Sequence, residues 1–427
     1  MLLGELLLHD FSIIASIEAL TTLFSTLLQT PWILKTLAFV ILAGAIMALI
    51  EKSGGVGGFV EYVLEKRGFV NSPRSALMLS YILGVVIFIE TSITALVSGA
   101  VGKPLCDKYK IPHAKLAFVC DSTSAPIGSL IVLNGYGALL LGLIATQSSL
   151  GYIEATPLET LLSSLAYNFY AIFALIITFL FIYFDINIGA MKYASYRPSL
   201  NATDVSVEKK SMYYMLLPIT LMIALVFLFL YITGEGNILK GSGSSAIFYT
   251  MLTTLFFTLF YYVGSGNLSL KRWSTTAFMG AKDFVLISFI LIFAFAMGDV
   301  TGELKTGLYL ASFAEEFLSA YFLASMIFLL SAVISFSTGT SWGTFSIMMP
   351  IAIPMAAGMD VDMPLVIGAV ISGGVFGDHC SPISDTTIIS SMAAECEVVE
   401  HVKTQLPYAL ISASFAALFF LLFSLIL

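Results

Sequence analysis

Long, unbroken apolar runs interrupted by short clusters of hydroxyls, acids, glycine and proline set the pattern of this chain. Helix-length runs fall at Trp32 to Ile50, Ala76 to Ala100, Leu161 to Phe184, Met212 to Ile232, Ala246 to Val263, Phe284 to Met297, Leu318 to Phe336 and Leu406 to Leu427. About 20 apolar residues cross the hydrocarbon of a bilayer as a helix, whereas the strands of a membrane barrel alternate apolar and polar residues. These runs do not alternate. They predict an all-α polytopic membrane protein of about ten to twelve segments, some of half length. Residues 1–31 place Glu5, His9, Asp10 and Glu18 among leucines and predict a partial or interfacial helix, without the basic start and cleavage site of a signal peptide. Val56 to Glu65 predicts an interfacial segment, and Lys103 to Lys115 a polar loop. Residues 32–184 form a first half, 185–211 a polar connection and 212–427 a second half.

The interruptions repeat. In the first half Glu90-Thr91-Ser92-Ile93-Thr94 precedes a helix ending near Pro104, and a later run is interrupted by Asp121-Ser122-Thr123-Ser124-Ala125-Pro126. In the second half Ser337-Thr338-Gly339-Thr340-Ser341 precedes Pro350 and Pro354, and the run Pro364 to Phe376 ends in Gly377-Asp378-His379-Cys380-Ser381-Pro382-Ile383-Ser384-Asp385-Thr386-Thr387. Backbone leaves the helix at membrane depth only where it is buried in protein or lines a cavity. Paired interrupted segments in corresponding places of two halves point to a transport site.

Composition agrees with this reading. Hydrophobic residues make up 58% and charged residues 11%, with a mean hydropathy of +0.96, against about 25% charged residues in soluble domains. The net charge of −8 and basic residues confined to loops exclude a nucleic-acid surface. The loops with Lys192, Arg197, Lys209 and Lys210 and with Lys271, Arg272 and Lys282 lie two crossings apart, on one side that is cytoplasmic by the positive-inside tendency. The basic loops at Lys66-Arg67-Arg74 and at Lys103 to Lys115 are one crossing apart, which conflicts with a simple count unless a neighbouring segment enters and leaves on the same face. Cys106, Cys120, Cys380 and Cys396 lack metal-site spacing and read as small core residues.

Hard cations take oxygen ligands, and a broken helix offers backbone carbonyls beside carboxylates and hydroxyls. Asp378, Asp385, Ser381, Ser384, Thr386 and Thr387 form such an inventory. Burial disfavours a charged carboxylate and a bound cation favours it, so one buried Asp can hold either a proton or a cation. Plainer readings stand beside these. Asp385 can cap the helix that starts near Thr386, Glu90 can be a structural acid, and His379 either relays protons or packs. His379-Cys380 beside Asp378 superficially resembles zinc chemistry but lacks a second ligand cluster. Asn134-Gly135-Tyr136-Gly137 reads as a helix kink, with Asn134 a pathway candidate.

The stretches GDHCSPISDTTIISS (377–391), HVKTQLPYAL (401–410) and KPLCDKYKIPHAKLAFVCDSTSAP (103–126) resemble the NhaC-type Na+/H+ antiporter family, a branch of the ion transporter superfamily, from about Trp32 to the C-terminus. The resemblance implies a secondary transporter rather than an enzyme. It would lie in the lipid bilayer of a bacterial or archaeal cytoplasmic (inner) membrane as two inverted repeats with broken helices and re-entrant hairpins, and as a homodimer. Na+ (or Li+) and H+ would be its substrates, with no cofactor beyond Na+ as transported or coupling ion. It implies a cation site of Asp378, Ser381, Asp385 and Thr386, with Asp378 and Asp385 holding Na+, and first-half counterparts Asp121, Ser122 and Thr123. Glu90, Thr91, Thr338, Thr340, His379 and Asn134 are coupling or pathway candidates. Similar proteins also carry organic acids or amino acids coupled to Na+ or H+. The near absence of Lys and Arg from the spans favours simple cation exchange, although helix N-termini can hold a carboxylate without side-chain charge.

Overall fold

The computed structural model describes residues 1–55, 57–58, 62, 70–88, 91–132, 134–197, 210–236, 241–305, 309, 312 and 319–426. Glu90 and most of the segment 56–65 lie outside the described residues. Among the described residues every regular element is a helix. In order they are α1 Leu2–Leu8, α2 Ile13–Gln29, α3 Pro31–Lys52, α4 Pro73–Val86, α5 Thr91–Tyr109, α6 His113–Ser129, α7 Gly135–Ser149, α8 Pro157–Leu165 and α9 Phe169–Phe184. After the connection come α10 Tyr213–Thr233, α11 Gly243–Gly264, α12 Leu270–Asp283, α13 Val285–Glu303, α14 Leu323–Thr338, α15 Ser341–Gly358, α16 Met363–Cys380, α17 Asp385–Ala394 and α18 Val398–Ile426. Among the described residues seven helical stretches are long and apolar enough to cross a membrane by themselves. The N-terminal residues form two helices, α1 and α2, bent by 117° at their junction.

Several local expectations are corrected. The run Ala76 to Ala100 is not one span: α4 ends at Val86 and α5 begins at Thr91. Lys103 to Lys115 is mostly helical, with a turn only at Lys110–Pro112, where Lys110 takes φ 54°. The basic stretch Lys271 to Lys282 belongs to a helix, α12, rather than a loop. The run Leu161 to Phe184, by contrast, lies within one candidate span, Pro157–Tyr193, although a short turn separates α8 from α9. Most informative is α6, which runs unbroken through Asp121–Pro126 to Ser129. Its hydroxyls bond to carbonyls of their own helix, Thr123 Oγ1 to Val119 O at 2.8 Å and Ser124 Oγ to Asp121 O at 3.1 Å. Back-bonding of this kind leaves the helix intact. Pro126 sits one turn from the end, where its missing N–H frees only the Ser122 carbonyl.

The two halves pack alike. In the first half α4, α5 and α6 lie together and α9 covers α6; in the second α14, α15 and α16 lie together and α18 covers α16. Across the halves α5 packs on α17 as α15 packs on α7, while α6 meets α16 and α9 meets α18. These contacts correspond between the halves, although α6 also packs on α17 without a like contact between α16 and α7 among the described residues. α14 stops at Gly339, whose φ of 66° suits a residue without Cβ.

One cleft is lined by Arg74, Lys110, Lys115 and Asp185 among others. It brings the start of α4, the α5–α6 turn and the end of α9 to one face.

Candidate functional site

The breaks of both halves converge on two aspartates. Asp378, 2% exposed, lies in the last turn of α16. Its Oδ2 accepts from Ser341 Oγ at 2.8 Å, the first residue of α15. A serine has one hydroxyl proton, so Tyr136 OH, 2.8 Å from the same Ser341 Oγ, is the donor to it. Tyr136 belongs to α7, so a first-half helix reaches through a second-half helix start to the Asp378 carboxylate. Asp378 Oδ1 is buried and has no hydrogen-bond partner among the described residues.

Asp121, fully buried in α6, repeats the arrangement. Its Oδ2 accepts from Thr387 Oγ1 at 3.2 Å and from Gln405 Nε2 at 2.8 Å, while Oδ1 has no partner among the described residues. Gln405 Nε2 also donates to His379 O, so both amide hydrogens are used. Its Oε1 therefore accepts from His401 Nε2, 2.8 Å away. Ser391 Oγ lies 2.7 Å from His401 Nδ1 and 2.7 Å from the Thr387 carbonyl oxygen, and its single proton can serve only one of them. The donors run from His401 through Gln405 to one oxygen of Asp121. His379 closes the other side, with Nδ1 2.5 Å from Tyr170 OH and Nε2 3.2 Å from Ser122 Oγ. The Nε2 atoms of His379 and His401 each lie 3.7 Å from Asp121 Oδ2. Among the described residues no group of three or more His, Cys, Asp or Glu is placed to hold a metal ion.

The remaining expected residues take other places. Ser381 caps α14 by donating to Phe336 O at 2.8 Å. Asp385 is exposed, and its Oδ1 accepts from the N–H of Thr386 at 2.8 Å; no hydrogen bond joins it to Asp378 among the described residues. Thr386 is buried beside Ser384, 3.0 Å between hydroxyls. Thr123 turns toward α4, where a Cβ on Gly84 would strike its hydroxyl. Thr91 packs against Gly128, Thr338 bonds back to Ile334 O at 2.9 Å on an exposed face, and Thr340 is the N-cap of α15. Asn134 is a cap rather than a kink. Its Oδ1 accepts from Gly137 N–H at 3.1 Å, and its Nδ2 donates to Gly128 O at 2.8 Å and Phe88 O at 3.3 Å. It ties the ends of α4 and α6 to the start of α7. Asn134→Ala is expected to destabilise the protein by about 2 kcal/mol, read as a lower melting temperature in detergent; an unchanged melt would show that the cap is dispensable.

Gln405, His401, Tyr170, Tyr136 and Ser341 were not expected as site residues. A signal existed for two of them, since His401 and Gln405 stand four apart at the head of the apolar helix α18, on one face.

The model of the Na+/H+ antiporter family matches residues 134–425. The chain belongs to the Na+/H+ antiporter family. This family member is 33% identical, over 96% of its length and 82% of the relative's, to an uncharacterised protein of Haemophilus influenzae. Over 88 residues, 21% of this chain and 18% of the relative, it is 39% identical to a malate-2H(+)/Na(+)-lactate antiporter of Bacillus subtilis. Its fold is similar to that of Neisseria gonorrhoeae MtrF, of a class of antimetabolite efflux pumps, with a TM-score of 0.69 and 16% identity over 97% of this chain and 85% of that one. It is also similar to the Alcanivorax borkumensis YdaH transporter, with a TM-score of 0.61 and 15% identity over 94% and 86%. The antiporter family and these neighbours are membrane transporters, and this chain is a multi-pass member rather than an enzyme.

Proposed function

We propose that this protein exchanges Na+ (or Li+) for H+ across a bacterial or archaeal cytoplasmic membrane, with Asp121 and Asp378 as its carboxylates. One observation carries the reading. Each aspartate is buried, each has one oxygen held by hydroxyl or amide donors, and each leaves the other oxygen without a partner among the described residues. A buried, unpaired carboxylate oxygen is costly unless a proton or a cation meets it. The bonded oxygen keeps its place while the free one alternates between the two occupants. Residue by residue, the cation site carried over from the family motif moves from Asp378 and Asp385 to Asp378 and Asp121. Ser381 and Thr123 become helix supports, and Asp385 an exposed charge beside the break.

The test is proton flux in proteoliposomes with an imposed pH gradient, on adding Na+, Li+ or K+. Dissipation by Na+ or Li+ alone supports exchange; no response to any of the three overturns it. In that case the second reading, a Na+- or H+-coupled carrier of a small organic acid or amino acid, takes over. The Bacillus subtilis relative's name favours testing malate and lactate first. The helix starts at Thr340 and Ser384 would supply N–H groups for a carboxylate.

Gln405 fixes which Asp121 oxygen is free. Gln405→Leu removes a charge-assisted donor, worth about 2 kcal/mol, so the Na+ concentration for half-maximal exchange is expected to rise about tenfold or more. The maximal rate would fall less. An unchanged concentration dependence would mean that Gln405 only packs.

A further inference from the structure

The cleft that placed α4 and α5 on one face contains chemistry the carboxylate site does not use. Its volume is about 510 Å³, and Arg74, Lys110 and Lys115 line it against the carboxylate of Asp185. Lys115 Nζ meets Asp185 Oδ1 at 2.8 Å, and Arg74 also acts on that carboxylate through space. Arg74 and Lys110 form no ion pair among the described residues. The Arg74 guanidinium lies 5.4 Å over the Tyr183 ring, which holds it at the cleft wall. Lys110 projects from the tight α5–α6 turn.

Below these cations the lining turns apolar, with Leu77 and Ile182. Beside it Tyr183 and Phe184 stand 47% and 61% exposed at the end of α9. Aromatic rings at the end of an apolar helix next to basic side chains mark the boundary between hydrocarbon and water. We propose that this cleft binds the phosphate of an acidic phospholipid between Arg74 and Lys110, with its acyl chain along the α9 flank. Basic pockets between membrane helices suit such headgroups. A free phosphate would use the cations but not the apolar wall and exposed rings. Bound there, the headgroup bridges the start of α4 to the α5–α6 turn that leads into the Asp121 helix.

The inference stands apart from the ion-exchange reading. Its test is native mass spectrometry and thermal melting of the full-length protein in detergent with phosphatidylglycerol, phosphatidylcholine or inorganic phosphate. Phosphatidylglycerol is expected to bind and raise the melting temperature, and phosphatidylcholine to do neither. The double variant Arg74→Gln, Lys110→Gln is expected to bind phosphatidylglycerol about thirtyfold more weakly. The charge-keeping variant Arg74→Lys, Lys110→Arg should retain binding, so a folding defect in the first variant does not hide the answer. Equal binding of phosphatidylglycerol by the Gln variant and the parent, or equal effects of the two lipids, overturns the site. Full stabilisation by inorganic phosphate alone overturns the lipid as its occupant.

Discussion

Asp378→Asn is expected to reduce Na+-driven proton movement in proteoliposomes to the level of protein-free vesicles, while the melting temperature stays level or rises. The amide oxygen of Asn can still accept from Ser341 Oγ, which reaches Asp378 at 2.8 Å, so the contact between α15 and α16 survives. What disappears is the charge on a residue only 2% exposed, and neutralising a buried charge relieves its desolvation cost. Loss of transport without loss of stability separates a carboxylate that works from one that merely packs. Asp121→Asn should behave alike, because one amide oxygen can accept from both Thr387 and Gln405. Asp385→Asn is the contrast. Its carboxylate is exposed and bonded to its own helix, so the variant is expected to need more Na+ while exchange remains measurable. Near-normal flux by both the Asp378 and Asp121 variants would sink the proposed site.

The largest effect on folding is expected from Gly377→Val. A Cβ at Gly377 would run into the carbonyl oxygen of Ala332 and crowd the Phe336 nitrogen at 2.7 Å. A backbone carbonyl in α14 cannot rotate away as a side chain can. Gly373, one turn earlier, faces the Phe328 carbonyl in the same way, so α14 and α16 touch backbone to backbone along a stripe that leads to Asp378. Close approach through small residues is how membrane helices pack where no hydrophobic driving force separates them from lipid. The substitution should cost about 3 kcal/mol or more. It would be read as a lower melting temperature and loss of a monodisperse peak in detergent. A variant that melts like the parent would mean that the two helices separate more readily than their packing implies.

Much of the architecture was legible because its causes are local. Apolar run lengths announce membrane helices, and the break after Cys380 was readable from a proline and hydroxyls following Asp378. The same reasoning failed at Asp121. Asp-Ser-Thr-Ser-Ala-Pro looks like a helix end, yet α6 continues, because its buried hydroxyls turn onto their own carbonyls and Pro126 sits within a turn of the true end. The polar stretch from Lys103 to Tyr109 looked like a loop and is helix, because helical geometry can present charges to one side while the other side packs.

By itself, then, the sequence determined that this is an all-α membrane chain with carboxylates at or near its interruptions, because those properties follow from spacing along one strand of residues. Only the tertiary structure decided which polar groups complete the site. Gln405 reaches Asp121 from 284 positions away, and His379 reaches Ser122 from 257. Which Asp121 oxygen is held depends on helices from the other half, and partners brought together by packing leave no periodic trace in the chain.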